Sequence, residues 1–233
     1  MDLQSILKKA KVESRKLVSV PDTTIRHVLY DLADSLIGET DRILKINWKD
    51  LTKIKKNDPM YDRILLDEER VKAMSRSVRE IADYDSPIGK VLEEKTLKNG
   101  LNLKKVSVPL GVVGAIFEAR PNVVTDIFAL CFKAKNGCVL KGGSDCQATN
   151  EALMKLIKKS MEKFLKNSDA AVLLPNDKKV IGEFMKSDRL VDVLIPRGGA
   201  GLIDFVRKNS SIPVIETGAG VVHVFFDESG NTD

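Results

Sequence analysis

The stretch GVVGAIFEARPNVVTDIFALCFKAKNGCVLKGGSD, residues 111–145, decides how the chain is read. Its first apolar run, Val112 to Phe117, is short enough for a buried strand, and helical spacing takes over from Asn122. A second apolar run, Cys138 to Leu140, then runs into paired glycines. The same alternation continues downstream, with apolar runs at Ala170 to Leu174, Val191 to Ile195 and Val221 to Phe226 separated by amphipathic stretches of helix length. Strand, helix, strand, helix implies a parallel sheet covered on both faces. The helix after Lys141 is the best defined: Ser144 with Gln147 forms a capping-box pattern, and Leu153, Leu156, Ile157, Met161, Phe164 and Leu165 share one side.

Upstream of this alternation the period is helical from residue 2 to about residue 84. Ile25, Val28, Leu29, Leu32 and Leu36 make one stripe, and Val71, Met74, Val78 and Ile81 another. Asp22-Thr23 after Pro21 and Asp58-Pro59 supply start signals for the second and fourth helices, and Gly38 a stop for the second. After Asp85-Ser-Pro-Ile-Gly the pattern becomes extended, and Asn99-Gly100 divides two short stretches as the turn of a hairpin would. The expected organisation is a helical segment at 1–84, a strand arm at 85–110 and a dinucleotide-binding sheet at 111–233.

Composition narrows the class. The chain has 233 residues, 43% hydrophobic and 30% charged, enough for a sizeable core. The net charge of +5, from 38 basic and 33 acidic residues, is scattered over helix faces and forms no basic block interleaved with aromatics, which argues against nucleic acid. No apolar run is long enough to span a bilayer, and the charged N-terminus lacks a signal-peptide core, so no membrane contact and a cytoplasmic location are expected. Cys131, Cys138 and Cys146 have neither C-x-x-C spacing nor histidines at ligand spacing, which argues against disulfides and against a metal. Cys131 and Cys138 read as core. Cys146, near a helix start, could have a lowered pKa. His27 on a helix and His223 in an apolar run read as structural.

Four strand-end segments carry the polar chemistry, and open parallel sheets bind ligands at the carboxyl ends of their strands. In Glu118-Ala-Arg-Pro-Asn, Arg120 could fork onto a carboxylate or phosphate, and Asn122 could donate to a developing oxyanion; Pro121 and Asn122 could equally be helix-start residues. In Lys141-Gly142-Gly143-Ser144 the glycines would let a ligand approach the backbone and Lys141 could bond a ribose or phosphate, or the glycines could serve only a tight turn. Arg197-Gly198-Gly199-Ala-Gly201 would suit a pyrophosphate, although it matches neither G-x-G-x-x-G nor a Walker sequence, and Arg197 could equally be a solvated loop arginine. Glu216, before Thr-Gly-Ala-Gly, could act as a base, order water or cap a turn.

Taken in order, VPLGVVGAIFEARPNV, ALCFKAKNGCVLKGGSD, LIPRGGAGLI and PVIETGAGVVHVFFDES resemble γ-glutamyl phosphate reductase, a branch of the aldehyde dehydrogenase superfamily. The resemblance extends back through NGLNLKKVSVPLG, DSPIGK and the Asp62-Arg63 of Tyr61-Asp-Arg, and is weakest in the first fifty residues. It implies N-terminal helices followed by a Rossmann-like α/β sheet of the aldehyde dehydrogenase type. It also implies an NADPH-dependent reduction of L-glutamyl 5-phosphate to L-glutamate 5-semialdehyde in proline biosynthesis, through a cysteine thioester. On this resemblance Asn122 is the oxyanion amide and Glu216 the superfamily's base position, here orienting cofactor or substrate. Lys141 is an adenosine-ribose contact, with Gly142 and Ser144 beside it, and Arg197 with Gly198, Gly199 and Gly201 forms the pyrophosphate turn. Arg120 as a contact for the substrate anion is an inference from its chemistry.

The resemblance further implies a homo-oligomer built through the strand arm and functional coupling to glutamate 5-kinase. Three departures stand out. Lys141 replaces a frequent arginine, Phe117 stands where tyrosine is expected, and only seventeen residues follow Glu216, none of them cysteine, so the nucleophile and its catalytic domain are expected to be absent. The alternatives are another acylating aldehyde dehydrogenase and a non-catalytic nucleotide-binding or interaction module of the same fold.

Overall fold

A computed structural model describes residues 2–216 and 223–230. Five helices come first: α1 (Leu3–Leu17), α2 (Asp22–Gly38), α3 (Thr40–Leu51), α4 (Pro59–Ile64) and α5 (Glu68–Asp83). Their starts follow local chemistry. Asp2, Asp58 and Asp67 each accept a hydrogen bond from a backbone N–H of the first turn, from Gln4, Met60 and Arg70 respectively. At the start of α2 no side chain caps, and Asp22 contributes only its charge in the first turn.

The hairpin read around Asn99-Gly100 is present as β1 (Val91–Thr96) and β2 (Asn102–Val106), paired antiparallel. Gly100 takes φ +86°, a conformation that suits the missing Cβ, and the Leu97 N–H donates to the Leu101 carbonyl to close the turn. Every residue of both strands is exposed.

The sheet comprises β3 (Val112–Phe117), β4 (Gly137–Lys141), β5 (Ala171–Leu173) and β6 (Val193–Arg197), in the order β5-β4-β3-β6 and parallel throughout. Between them run α6 (Asn122–Lys133), α7 (Gln147–Leu165) and α8 (Lys178–Phe184), with α9 (Ala200–Asn209) after β6. Side chains alternate across the pleat. Val113, Ala115 and Phe117 of β3 join Cys138 and Leu140 of β4 in a core shared with α2, α5, α6 and α7. Val112, Ile116 and Val139 face the other way, into a core with Leu3, Leu7 and Ala10 of α1, Phe184 of α8 and Val206 of α9. Gly114 belongs to this second face, where a Cβ would lie 2.8 Å from the Phe184 ring. The amino end of the sheet is stapled: Asp192 accepts from the Val112 N–H at 2.7 Å and from Lys11 of α1 at 2.5 Å.

Several sequence expectations need correction. Ser144 and Gln147 form no capping box: Ser144 opens a 3-10 turn (Ser144–Cys146), its hydroxyl donates to Asp145, and the Gln147 amide donates to Glu151. The extra turn moves the true start of α7 three residues on, so Ser144 no longer faces its free N–H groups. Leu153, Leu156, Ile157 and Met161 are buried as expected, but Phe164 is 37% exposed because the last turn runs past the core, and it tilts against His27 at 6.0 Å. In the run Val221 to Phe226, Val221 and Val222 lie outside the described residues; residues 223–226, His223 included, form no strand and are exposed. Val214 instead bridges in parallel to Leu194, alongside β6.

Candidate functional site

Three of the four polar segments emerge at the carboxyl end of the sheet, and of the fourth only Glu216 lies within the described residues. Register sets them side by side: Phe117 pairs with Arg197 across β3 and β6, and Ile116 with Lys141 across β3 and β4. The chain leaves β3 for β4 on one side and returns to β6 on the other, so the strand order reverses between β3 and β6, where a crevice opens in such sheets.

That crevice holds a cavity of about 330 Å³ lined by Arg63, Glu118, Arg120, Arg197, Gly198 and Gly199, among others. The Gly199 N–H, at the start of α9, donates to Glu118 Oε2 at 3.1 Å. A Cβ on Gly198 would lie 2.5 Å from the same carboxylate oxygen, whereas one on Gly201 would meet nothing within 4 Å. Between Glu118 and Arg120 the chain is turned by Ala119, which has φ +31° and is buried against Leu51, Ile64 and Cys146. A non-glycine residue in this region is held by its surroundings.

A second cavity, of about 460 Å³, adjoins the first and is lined by Arg63, Arg70, Arg120, Asn122 and Asp126, among others. Asn122 opens α6, and its Nδ2 donates to Asp126 Oδ2 at 2.9 Å. Burial raises the Asp126 carboxyl above its ordinary pKa, against the hydrogen bonds from Asn122 and Ser77 and the charge of Arg197. Arg63 arrives on α4 because buried Asn47 and Asp50 of α3 fix that region: Asn47 bonds the Ile64 carbonyl and the Leu66 N–H, and Asp50 accepts twice from Thr149 at the start of α7.

The Lys141 turn is different in kind. Lys141 is buried, and its ammonium donates to the Gly142 carbonyl and to Asn176 at 2.9 Å. Burial lowers its pKa, countered by the nearby Cys146. Gly142 is glycine for an internal reason: a Cβ there would overlap the Asn150 amide and press on the Phe117 ring at 3.2 Å. Ser144 is exposed beside it. Cys146 is buried, accepts from Asn150 at 3.4 Å, and has its pKa pushed up to about 11 by burial, opposite to the lowering considered for a helix start. Burial likewise pushes Cys131 up to about 12 and Cys138 well above its ordinary value.

Arg120, Asn122, Arg197, Gly198 and Gly199 are therefore brought together around two adjoining cavities. Glu216 lies outside both and faces Arg207 of α9 at 3.7 Å. Three further residues belong with the group, none of them given a site role from sequence. Glu118 follows an unbroken apolar run at a strand end, and Asp126 lies one helical turn from Asn122, so both were readable. Arg63 is brought in by tertiary packing.

No family model matches the chain. A probable aldehyde dehydrogenase from Listeria monocytogenes superposes on 94% of this chain and 46% of its own length, with a TM-score of 0.74 at 18% identity, so the fold is of the aldehyde dehydrogenase class. Within that class, the γ-glutamyl phosphate reductase of Chlorobium phaeobacteroides is 48% identical over 225 residues, 97% of this chain and 54% of the relative. The crystal structure of the Thermotoga maritima γ-glutamyl phosphate reductase matches with a TM-score of 0.90 at 28% identity, over 94% of this chain and 54% of that one. The chain is thus similar to γ-glutamyl phosphate reductases along nearly its whole length, and it spans about half the length of the curated relatives it matches.

Proposed function

We propose that this chain is the dinucleotide-binding part of a reductase that converts L-glutamyl 5-phosphate and NADPH into L-glutamate 5-semialdehyde, phosphate and NADP, in the cytoplasm and in the service of proline biosynthesis. The carrying observation is the meeting, at the β3/β6 reversal, of the Arg197–Gly201 turn with the Arg120–Asn122 segment.

The residues present fit a dinucleotide. The Gly199 N–H at the start of α9 already holds a carboxylate oxygen, so the turn is a receptor for an anion, and Gly201 leaves open space beside it. In this reading the backbone of residues 198–201 and the Arg197 guanidinium hold the diphosphate. Lys141 reaches a ribose with the one ammonium proton its two protein acceptors leave unused, next to Gly142 and Ser144. When bound, the nicotinamide supplies the hydride. Glu216, which faces Arg207 of α9, orients cofactor or substrate.

The chain's own residues set up the acyl carbon. Asn122 has two amide protons; Asp126 holds one, which aims the other at the carbonyl oxygen as negative charge builds there. Arg120 and Arg63 line the same cavity and offset the charge of the acyl phosphate. The three cysteines are buried with raised pKa values, so the sulfur that accepts the acyl group is assigned to none of them. Among the described residues no helix is long and apolar enough to cross a membrane. The exposed apolar residues of the β1/β2 region, including Leu92, Val108 and Leu110, support self-association through this arm. Coupling to a glutamate 5-kinase would deliver the labile acyl phosphate directly.

Fluorescence titration of the chain with NADPH and NADH tests the cofactor half of the reading, and saturable quenching is expected. In an intact reductase containing this chain, Asn122→Ala should lower kcat roughly 100-fold, as loss of an oxyanion donor does. Unchanged turnover would remove Asn122 from the mechanism. NADPH binding without glutamyl phosphate reduction by the intact protein would favour a non-catalytic module.

A further inference from the structure

Glu118 occupies the place where an incoming anion would bind. Its Oε2 accepts the Gly199 N–H at 3.1 Å, at the first turn of a ten-residue helix that no side chain caps from its own end. The absence of a side chain at residue 198 has the same cause, since a Cβ there would lie 2.5 Å from Glu118 Oε2 and 2.9 Å from the carboxyl carbon. Buried Ala119, at φ +31°, fixes the direction in which the Glu118 side chain leaves the strand. Arg63, Arg120 and Arg197 line the same cavity, yet among the described residues none of them lies within ion-pairing distance of Glu118.

This arrangement is paradoxical for a site that receives a diphosphate. Two anions cannot share one N–H at contact distance without strong repulsion. A carboxylate that leaves the amide nevertheless stays within a cavity lined by three guanidinium groups, any of which can take it up. We propose that Glu118 sets the affinity of this site: its carboxylate is an internal ligand of the Gly199 amide, displaced onto a neighbouring arginine when a diphosphate binds. The proposal rests on the dinucleotide reading above and adds to it the residue against which the ligand competes. Its consequence is that cofactor is bound more weakly, and exchanged more readily, than the glycine turn alone would allow.

The test is titration calorimetry of the chain with inorganic pyrophosphate and with NADPH, comparing the unaltered chain with Glu118→Gln, Glu118→Ala and Asp204→Asn. The last removes an exposed carboxylate of α9 that pairs with Arg207 and Lys208 and does not touch Gly199. Both Glu118 variants should bind both ligands roughly tenfold more tightly, the value of one charge-assisted hydrogen bond no longer broken. Asp204→Asn should change affinity less than twofold. In 1H–15N spectra without ligand, the Gly199 amide should shift in Glu118→Ala, and pyrophosphate should shift the same resonance in the unaltered chain.

If NADPH binds the unaltered chain and the Glu118 variants bind it equally or more weakly, the proposal fails and the dinucleotide reading survives. A gain equalled by Asp204→Asn would reduce the effect to net charge and overturn the proposal as well. If neither ligand binds any of the chains, both readings fall. Glu118→Ala removes the acceptor of the Gly199 N–H and should cost about 1 kcal/mol of stability, a fall of roughly 2–4 °C in melting temperature, which is measured alongside so that ligand binding is compared between folded chains.

Discussion

Two turns in this molecule look alike in sequence and are built differently. Lys141-Gly142-Gly143 and Arg197-Gly198-Gly199 each follow a parallel strand, pair a basic residue with two glycines and lead into a helix. In the first, the glycine is demanded from within. Gly142 backs onto Asn150 and Phe117, and Lys141 turns inward to the Gly142 carbonyl and Asn176. In the second, the turn faces a cavity, its amide is held by the Glu118 carboxylate, and Gly199 and Gly201 have room around them. A pair of glycines reports that a side chain would collide with something. Only the structure says whether that something is the protein's own core or a group that a ligand can replace.

The largest effect that could break this contrast is on stability. Gly142→Val places a branched side chain into space already filled by Asn150 and Phe117, and overpacking of this kind should cost at least about 2 kcal/mol. For a chain of this size that lowers the melting temperature by roughly 5 °C. A melting curve unchanged by Gly142→Val would mean that the first turn is as open as the second. Gly199→Val is the complementary experiment. The nearest atom to a Cβ there is 4.0 Å away, so the fold should lose at most about 1 kcal/mol, from a poorer N-cap. NADPH affinity should nevertheless fall by roughly tenfold, about 1.4 kcal/mol, because the branched side chain covers the amide at the start of α9. If Gly199→Val unfolds the chain while Gly142→Val does not, the assignments of the two turns must be exchanged.

The same contrast explains what the sequence made legible. β3 to β6 could be read from short apolar runs because a strand buried on both faces needs no polar alternation, and the hairpin because Asn99-Gly100 suits a turn with positive φ. The helices α2 and α5 were readable from their apolar stripes. What could not be read depends on distance in space. Arg63 reaches the cavity only because Asn47 and Asp50 anchor α3 to α4 and α7 across about a hundred residues of sequence. The run containing Val224, Phe225 and Phe226 has the apolar character of a strand, yet these residues are exposed, because apolar character announces that a surface is to be covered and not by what. Glu118 carries a sequence signal of the opposite kind. It shares its strand-end segment with an arginine and an asparagine of more familiar chemistry, yet a charge directly after six buried residues marks the point where the chain leaves the core.

The smallest effect concerns the remaining polar residue of the first turn. Read from sequence, Ser144 caps α7, and removing such a cap ordinarily costs about 1 kcal/mol. In the structure the 3-10 turn Ser144–Cys146 intervenes, the hydroxyl donates to the side chain of Asp145 at 3.2 Å, and the residue is exposed. Ser144→Ala should therefore change the unfolding free energy by less than about 0.5 kcal/mol, as surface substitutions do. The sharper readout is ligand binding. If the first turn contributes only through its buried lysine, NADPH affinity is also unchanged in Ser144→Ala. A loss of affinity without a loss of stability would instead place the Ser144 hydroxyl on the ligand and extend the site from the β3/β6 crevice across β4. The two glycine turns would then be two ends of one binding surface, one anchored in the core and the other held in reserve by Glu118.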